Sequence, residues 1–157
     1  NQGLIQVVGT DHCPFTLDQK AVGKDNFAKI PNGHPAIEHR IEFMYSEGVR
    51  KGKISLNKFV EVCATNAAKI FGMYPTKGTI AIGSDADIVI FDTNKQHTIS
   101  VNTHHMNCDY SGYEGWELTG KTETVLLRGK VAIENDKCLL NPGDGKFIRR
   151  GKSSLII

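Results

Sequence analysis

Apolar side chains recur in three different rhythms along the chain, and each predicts a different kind of element. At the start, Leu4, Ile5, Val7 and Val8 run almost unbroken by polar residues, the pattern of a strand buried on both faces in a parallel sheet. Gly9 frees the backbone and Pro14 lacks the N–H that would extend a ladder, so the strand should stop near His12. Residues 16 to 33 follow no period and contain Gly23, Pro31 and Gly33. They predict a long loop, and a long loop after a strand end is commonly functional. From Pro35, which suits the first position of a helix, Ile37, Ile41, Met44 and Tyr45 recur at helical spacing as far as Gly48. Glu38 and His39 fall off that stripe and are expected to be solvated or paired. Ser55 predicts the N-cap of a second helix with Leu56, Phe59, Val60 and Cys63 on one face. Thr65 predicts the cap of a third, with Ala68, Ile70 and Phe71 inward and Gly72 ending it.

Beyond Met73 the helical period is gone. Pro75, Gly78, Gly83 and the turn Ser84-Asp85-Ala86-Asp87 punctuate short apolar stretches, and Ile88 to Phe91 reads as a strand closed by Asp92. Gln96 to Val101 predicts a second strand. Glu123 to Leu127 and Val131 to Glu134 predict a hairpin about Gly129, where a positive φ costs nothing. Helices after a parallel-type strand, followed by short strands alone, make this an α/β chain that changes character at residue 73: residues 1–72 carry the strand and its helices, 73–157 short strands that imply a small β-sandwich or curved sheet.

A parallel strand delivers its last side chains to the carboxyl edge of the sheet, where α/β folds keep their chemistry. Asp11 stands there. Its carboxylate can bind a metal, act as a general base or simply cap a loop. His12 beside a buried strand reads more simply as a hydrogen-bonded core group, and Cys13 as a small buried residue without a partner base. Asp85 and Asp87 read as turn carboxylates accepting backbone N–H bonds rather than cation ligands. His104 and His105, adjacent on extended chain, point to opposite faces and do not share one ion. With Asp109, Tyr110, Tyr113 and Trp116 they predict a packed loop.

Composition narrows the partners. The 157 residues carry 19 basic and 17 acidic side chains, a net charge of +2, too balanced for electrostatic binding of nucleic acid. The short runs Arg50-Lys51-Gly52-Lys53 and Arg149-Arg150-Gly151-Lys152 read as solvated surface. No apolar run approaches the ~20 residues of a membrane span. Cys13, Cys63, Cys108 and Cys138 are scattered without a CxxC pair, as befits reduced thiols in a cytoplasmic protein.

The stretch Gly9-Thr10-Asp11-His12-Cys13-Pro14-Phe15, followed by Gln19 to Asp25 and Ile30-Pro31-Asn32-Gly33, resembles the end of the catalytic barrel in dihydropyrimidinases and D-hydantoinases. The resemblance continues through Thr65 to Gly72, Lys77 to Asp92, Gly115-Trp116-Glu117 and Pro142 to Phe147. Lys77-Gly78 and Gly83-Ser84-Asp85-Ala86-Asp87 recur across the wider amidohydrolase superfamily. Asp11-His12-Cys13-Pro14-Phe15 and Pro31-Asn32-Gly33 are what narrow it to the cyclic amidohydrolases. The resemblance implies the carboxyl-terminal part of a (β/α)8 barrel followed by part of a β-sandwich, and a chain that is a fragment, matching the last third of longer proteins. It implies two divalent ions, usually zinc, with Asp11 both ligating metal and taking a proton from the attacking water. Asn32 would contact the cyclic amide through its main chain, and the whole enzyme would be a homotetramer. The family's remaining ligands, histidines and a carboxylated lysine, lie before the matched region, so this chain alone is expected to be inactive. Two alternatives remain open. Collapsin response mediator proteins share the fold as non-enzymatic scaffolds, but lack an aspartate at the position of Asp11, and allantoinase or dihydroorotase would keep the chemistry on another ring.

Overall fold

The computed structural model describes residues 3–154. Its first regular element arises where the apolar pattern is silent. The Thr16 hydroxyl accepts the Gln19 N–H while Gln19 Oε1 accepts the Thr16 N–H, a reciprocal box that starts helix α1 (Leu17–Ala21). Asn26 begins a 3₁₀ turn, Phe27–Lys29. The expected loop therefore carries two short helical turns, both set by polar side chains and not by a hydrophobic stripe.

A 3₁₀ turn (Ile37–His39) runs into helix α2 (Arg40–Phe43) and a π-helical turn (Met44–Val49). The inward side chains are His39, Glu42, Tyr45 and Ser46, while Ile37 is 55% exposed. What lies opposite corrects the predicted stripe. The sheet presents main-chain amides, and Ser46 Oγ accepts from Thr119 at 3.2 Å while Glu42 Oε1 accepts from Thr122 at 3.4 Å. Polar groups so partnered can be buried at little net cost. Ser55 accepts the Lys58 N–H at 3.1 Å and caps helix α3 (Leu56–Val60), as predicted. Thr65 caps nothing: a π turn (Glu61–Thr65) carries the helix on into α4 (Asn66–Ile70), and the Thr65 hydroxyl donates to the Gly78 carbonyl at 2.7 Å. Phe59, Val62, Asn66 and Ala68 form the buried face, whereas Val60, Ile70 and Phe71 stay substantially exposed. Gly72 ends the helix at φ 66°.

The sheet is antiparallel in the order β1-β2-β3-β4, with β1 Ile88–Thr98, β2 Glu117–Leu127, β3 Lys130–Glu134 and β4 Lys137–Cys138. The predicted strand 88–91 and the first half of the predicted strand 96–101 are one strand that ends at Thr98 and is broken by an irregularity between Asp92 and Gln96. Asp92 Oδ1 folds back there onto the N–H groups of Asn94 and Lys95, so a polar interruption marks a bulge rather than an end. The hairpin about Gly129 forms as predicted, with Arg128 at φ 49° and Gly129 at φ 81°. Tyr45 joins the layers, its ring 4.9 Å from Phe91 of the sheet and 6.1 Å from Phe59 of α3.

Leu4 to Val8 form no regular strand, and Leu4 and Ile5 are 78% and 66% exposed. A strand buried on both faces requires neighbours on both edges, and among the described residues the only bridge nearby joins His12 to His34. Leu155 to Ile157, the end of the predicted second part, lie outside the described residues.

Between α4 and β1 the chain is clamped by Lys77, whose ammonium bonds Asp85 Oδ2 at 2.9 Å and also the Asp87 carboxylate. Asp87 Oδ1 accepts the Arg128 N–H at 2.8 Å, tying the β2–β3 turn to the same point. Burial pushes the Asp87 carboxyl up, but the Lys77 ammonium and the Arg128 amide outweigh it and hold it below the usual range. Its contribution to stability is thus complete above the unfolded value of about 3.9 and is lost as pH falls through the lower folded value. Lys77→Met leaves two half-buried carboxylates facing each other. It should cost about 1–3 kcal/mol near neutrality, in a deficit that narrows between neutrality and acid pH as the Asp87 carboxyl protonates. Urea midpoints across that range check this, and a deficit independent of pH would assign the effect to the lysine stem.

Candidate active site

Two side chains and one main-chain carbonyl from the helices hold the segment leading to Asp11. Asn66, 1% exposed, donates to the Gln6 carbonyl at 2.9 Å and to Glu61 Oε1 at 3.1 Å. The Arg40 guanidinium donates to the Val8 carbonyl at 2.8 Å, and the Val8 N–H donates to the Val62 carbonyl at 3.1 Å. His12 then turns inward, and its Nδ1 accepts from the amides of Ala36 and Ile37 at 3.2 and 3.4 Å. Two donors converging on Nδ1 put the neutral ring's proton on Nε2. His12 is thereby the cap of the turn that begins Ile37–His39, in keeping with its predicted role as a hydrogen-bonded core group.

Asp11 itself is exposed, sits at φ 47°, and its carboxylate has no hydrogen-bond partner among the described residues. Aspartate tolerates this left-handed conformation better than most residues, and backbone strain of this kind gathers at functional sites. A carboxylate that neither caps nor pairs is free to take a metal or a proton, so the loop-capping alternative loses its basis. Cys13 is exposed, not buried as predicted, and its thiol has no bonded base, so it lacks the geometry of an activated nucleophile.

The loop bearing Asn32 runs beside this segment. The parallel bridge between His12 and His34 places them side by side, the Cys13 N–H reaching the His34 carbonyl at 3.4 Å. The approach is close enough that a Cβ on Gly33 would lie 2.1 Å from the Cys13 carbonyl oxygen, so glycine is obligatory there. Lys20 donates from α1 to the carbonyls of Pro31 and Gly33 at 2.8 and 3.0 Å. Asn32 between them is exposed, and neither its N–H nor its C=O is hydrogen-bonded among the described residues.

A model of the amidohydrolase family matches residues 1–132. The chain belongs to that amidohydrolase family. It is 46% identical over 151 residues to the D-hydantoinase of Geobacillus stearothermophilus, covering 96% of this chain and 32% of that protein. It is also 46% identical over 148 residues to the dihydropyrimidinase of Rattus norvegicus, covering 94% and 28%. Among solved structures, a dihydropyrimidinase from Brevibacillus agri superposes with a TM-score of 0.96 at 52% identity, over 98% of this chain and 34% of the other. The chain thus spans about a third of the length of the curated relatives it matches. The likeness bears out the expected fold class, the carboxyl-terminal part of a hydrolase barrel followed by part of a β-sandwich. It also favours the hydantoinase and dihydropyrimidinase branch over the scaffold and other-ring alternatives.

Elsewhere in this amidohydrolase chain, histidines gather at the helix–sheet junction without forming a second centre. His39, expected to be solvated or paired, is buried at 6% exposure. Burial drives its pKa down against the pull of Glu38 and Glu42. It stacks on His104 at 6.4 Å, and His97 Nε2 meets Glu42 Oε2 at 2.9 Å. His39 Nε2, His97 Nδ1 and His104 Nδ1 are buried without a protein partner. His104 and His105 turn to different partners, the Cys108 carbonyl and the Glu38 carboxylate, and the bond to Glu38 raises the His105 pKa. Among the described residues no three or more His, Cys, Asp or Glu side chains are grouped to hold a metal ion. Likewise, no helix is long and apolar enough to cross a membrane.

Proposed function

We propose that the protein to which this chain belongs hydrolyses the cyclic amide of dihydropyrimidines or hydantoins, opening the ring to an N-carbamoyl amino acid. The observation that carries this is the unpartnered Asp11 carboxylate beside a loop that leaves the Asn32 main-chain N–H and C=O free. A cyclic ureide or imide edge presents a carbonyl acceptor next to an N–H donor, which one residue's main chain can match. With the ring so held, Asp11 accepts a proton from the attacking water as its oxygen bonds the ring carbonyl carbon. The same proton then goes to the ring nitrogen as the C–N bond breaks. Two divalent cations, of which zinc is our choice, would lower the pKa of water at such a site and polarise the carbonyl. Asp11 suits one ligand position for them, but the described residues supply no complete set.

In this reading residues 1–72 end the catalytic barrel and 73–157 belong to a β-sandwich, in a cytoplasmic homotetramer that binds neither nucleic acid nor membrane. The test is metal content together with ring opening of dihydrouracil and hydantoin by the full-length protein. About two ions per subunit with turnover are expected, whereas the 157-residue chain alone should open neither ring. A metal-free full-length protein inert toward every cyclic amide would overturn the proposal.

A further inference from the structure

Lys20 makes no ion pair among the described residues; its ammonium is bonded to two main-chain carbonyls, those of Pro31 and Gly33, which flank Asn32. The Phe15 ring centroid lies 5.6 Å from Nζ, and the lysine is carried by a helix whose start is fixed by the Thr16 and Gln19 box. An ammonium in such a place does more than keep a surface wet. The Pro31 carbonyl and the Asn32 N–H belong to one planar trans peptide group, in which C=O and N–H point in opposite directions. Whatever fixes the carbonyl on one side therefore aims the N–H at the other. Gly33, at φ 138°, lets the chain bend between the two anchored carbonyls.

We propose that Lys20 is the positioning residue of the substrate subsite, holding the peptide planes on either side of Asn32 so that its free N–H faces the ring to be opened. This rests on the ring-opening function above. Lys20 touches neither the substrate nor the reacting atoms. It acts through the loop, and its loss weakens recognition of the ring while leaving Asp11 in place.

The experiment uses the full-length, metal-loaded protein with dihydrouracil as probe. Lys20→Met keeps the aliphatic stem and removes the donors. KM should rise about tenfold to a hundredfold, the worth of charge-assisted hydrogen bonds at one loop, with metal content unchanged. Lys20→Arg should recover much of the loss, because a guanidinium can donate to two carbonyls at once. A purely structural role would lower the thermal midpoint and the active fraction, hence apparent kcat, without moving KM. If Lys20→Met yields no folded protein, Lys20→Gln, too short to reach both carbonyls, replaces it. An unchanged KM in an active protein overturns the role of Lys20 alone, whereas a parent protein that opens no ring overturns the functional reading and this role with it.

Discussion

Asp11→Asn should abolish ring opening in the full-length protein while leaving the thermal midpoint of its metal-free form unchanged within a few degrees. The carboxylate makes no hydrogen bond or ion pair among the described residues, so its replacement by an amide of the same shape removes nothing that holds the fold. Asparagine also tolerates the left-handed backbone required at φ 47°. Alanine is the poorer probe, since it adds about 1–2 kcal/mol of backbone strain and so mixes a folding defect with a chemical one. An amide cannot accept the proton of the attacking water, and a lost general base alone costs about 10²- to 10⁴-fold. Because the same oxygen is a proposed metal ligand, the loss in kcat/KM should reach the upper end of that range, about 5 kcal/mol of barrier at 1.4 kcal/mol per tenfold. Kinetics with metal analysis and a melting curve decide it. Turnover within tenfold of the unsubstituted protein would remove Asp11 from the chemistry.

What the sequence discloses about the proposed site is the identity of its candidate residues, and what it conceals is how they are held. Asp11 and Asn32 are both visible in the motif resemblance, because each sits in a short, unusual string of residues. Lys20 is not, although the Thr16 and Gln19 box that positions it is a local signal open to reading. Its two partners lie 11 and 13 residues away on the loop, a separation that no helical or strand period registers. Local devices are legible in the same way elsewhere: the Ser55 cap, the Gly72 terminator and the Gly129 turn all form where the sequence places them. Misread elements depend on distant partners. His39 is buried by a loop some 65 residues on, through its stacking with His104, and Thr65 spends its hydroxyl on Gly78 rather than on a cap. Leu4 to Val8 carry a buried strand's composition without strand neighbours among the described residues. In each case the pattern reports what a segment would satisfy, and only the tertiary partner decides whether it is satisfied.

The largest stability loss should come from Gly120→Ala. A Cβ at this position would lie 2.3 Å from Tyr45 Cδ1 and 2.8 Å from Phe91 Cε1, well inside any tolerable contact. Tyr45 cannot retreat easily, since it is buried between Phe59 and Phe91. Gly120 also sits at φ 104°, which a side chain resists whatever the space. Overpacking of about 1–3 kcal/mol adds to backbone strain of about 1–3 kcal/mol, so the total should be about 2–6 kcal/mol, read as a fall of roughly 5–20 °C in melting midpoint. The steric and backbone parts separate in a double-mutant cycle. With Tyr45→Ala already present, Gly120→Ala should cost only the backbone share and what remains of the Phe91 contact, giving a coupling of about 1–3 kcal/mol; strict additivity would show that Tyr45 does not clash. The effect should also reach the chemistry. Tyr45 is continuous with α2, whose Arg40 grips the Val8 carbonyl and whose preceding turn is capped by His12. A side chain that displaces Tyr45 therefore loosens two of the contacts that hold the segment bearing Asp11, and kcat should fall together with stability even though Gly120 lies in the sheet, outside the proposed site.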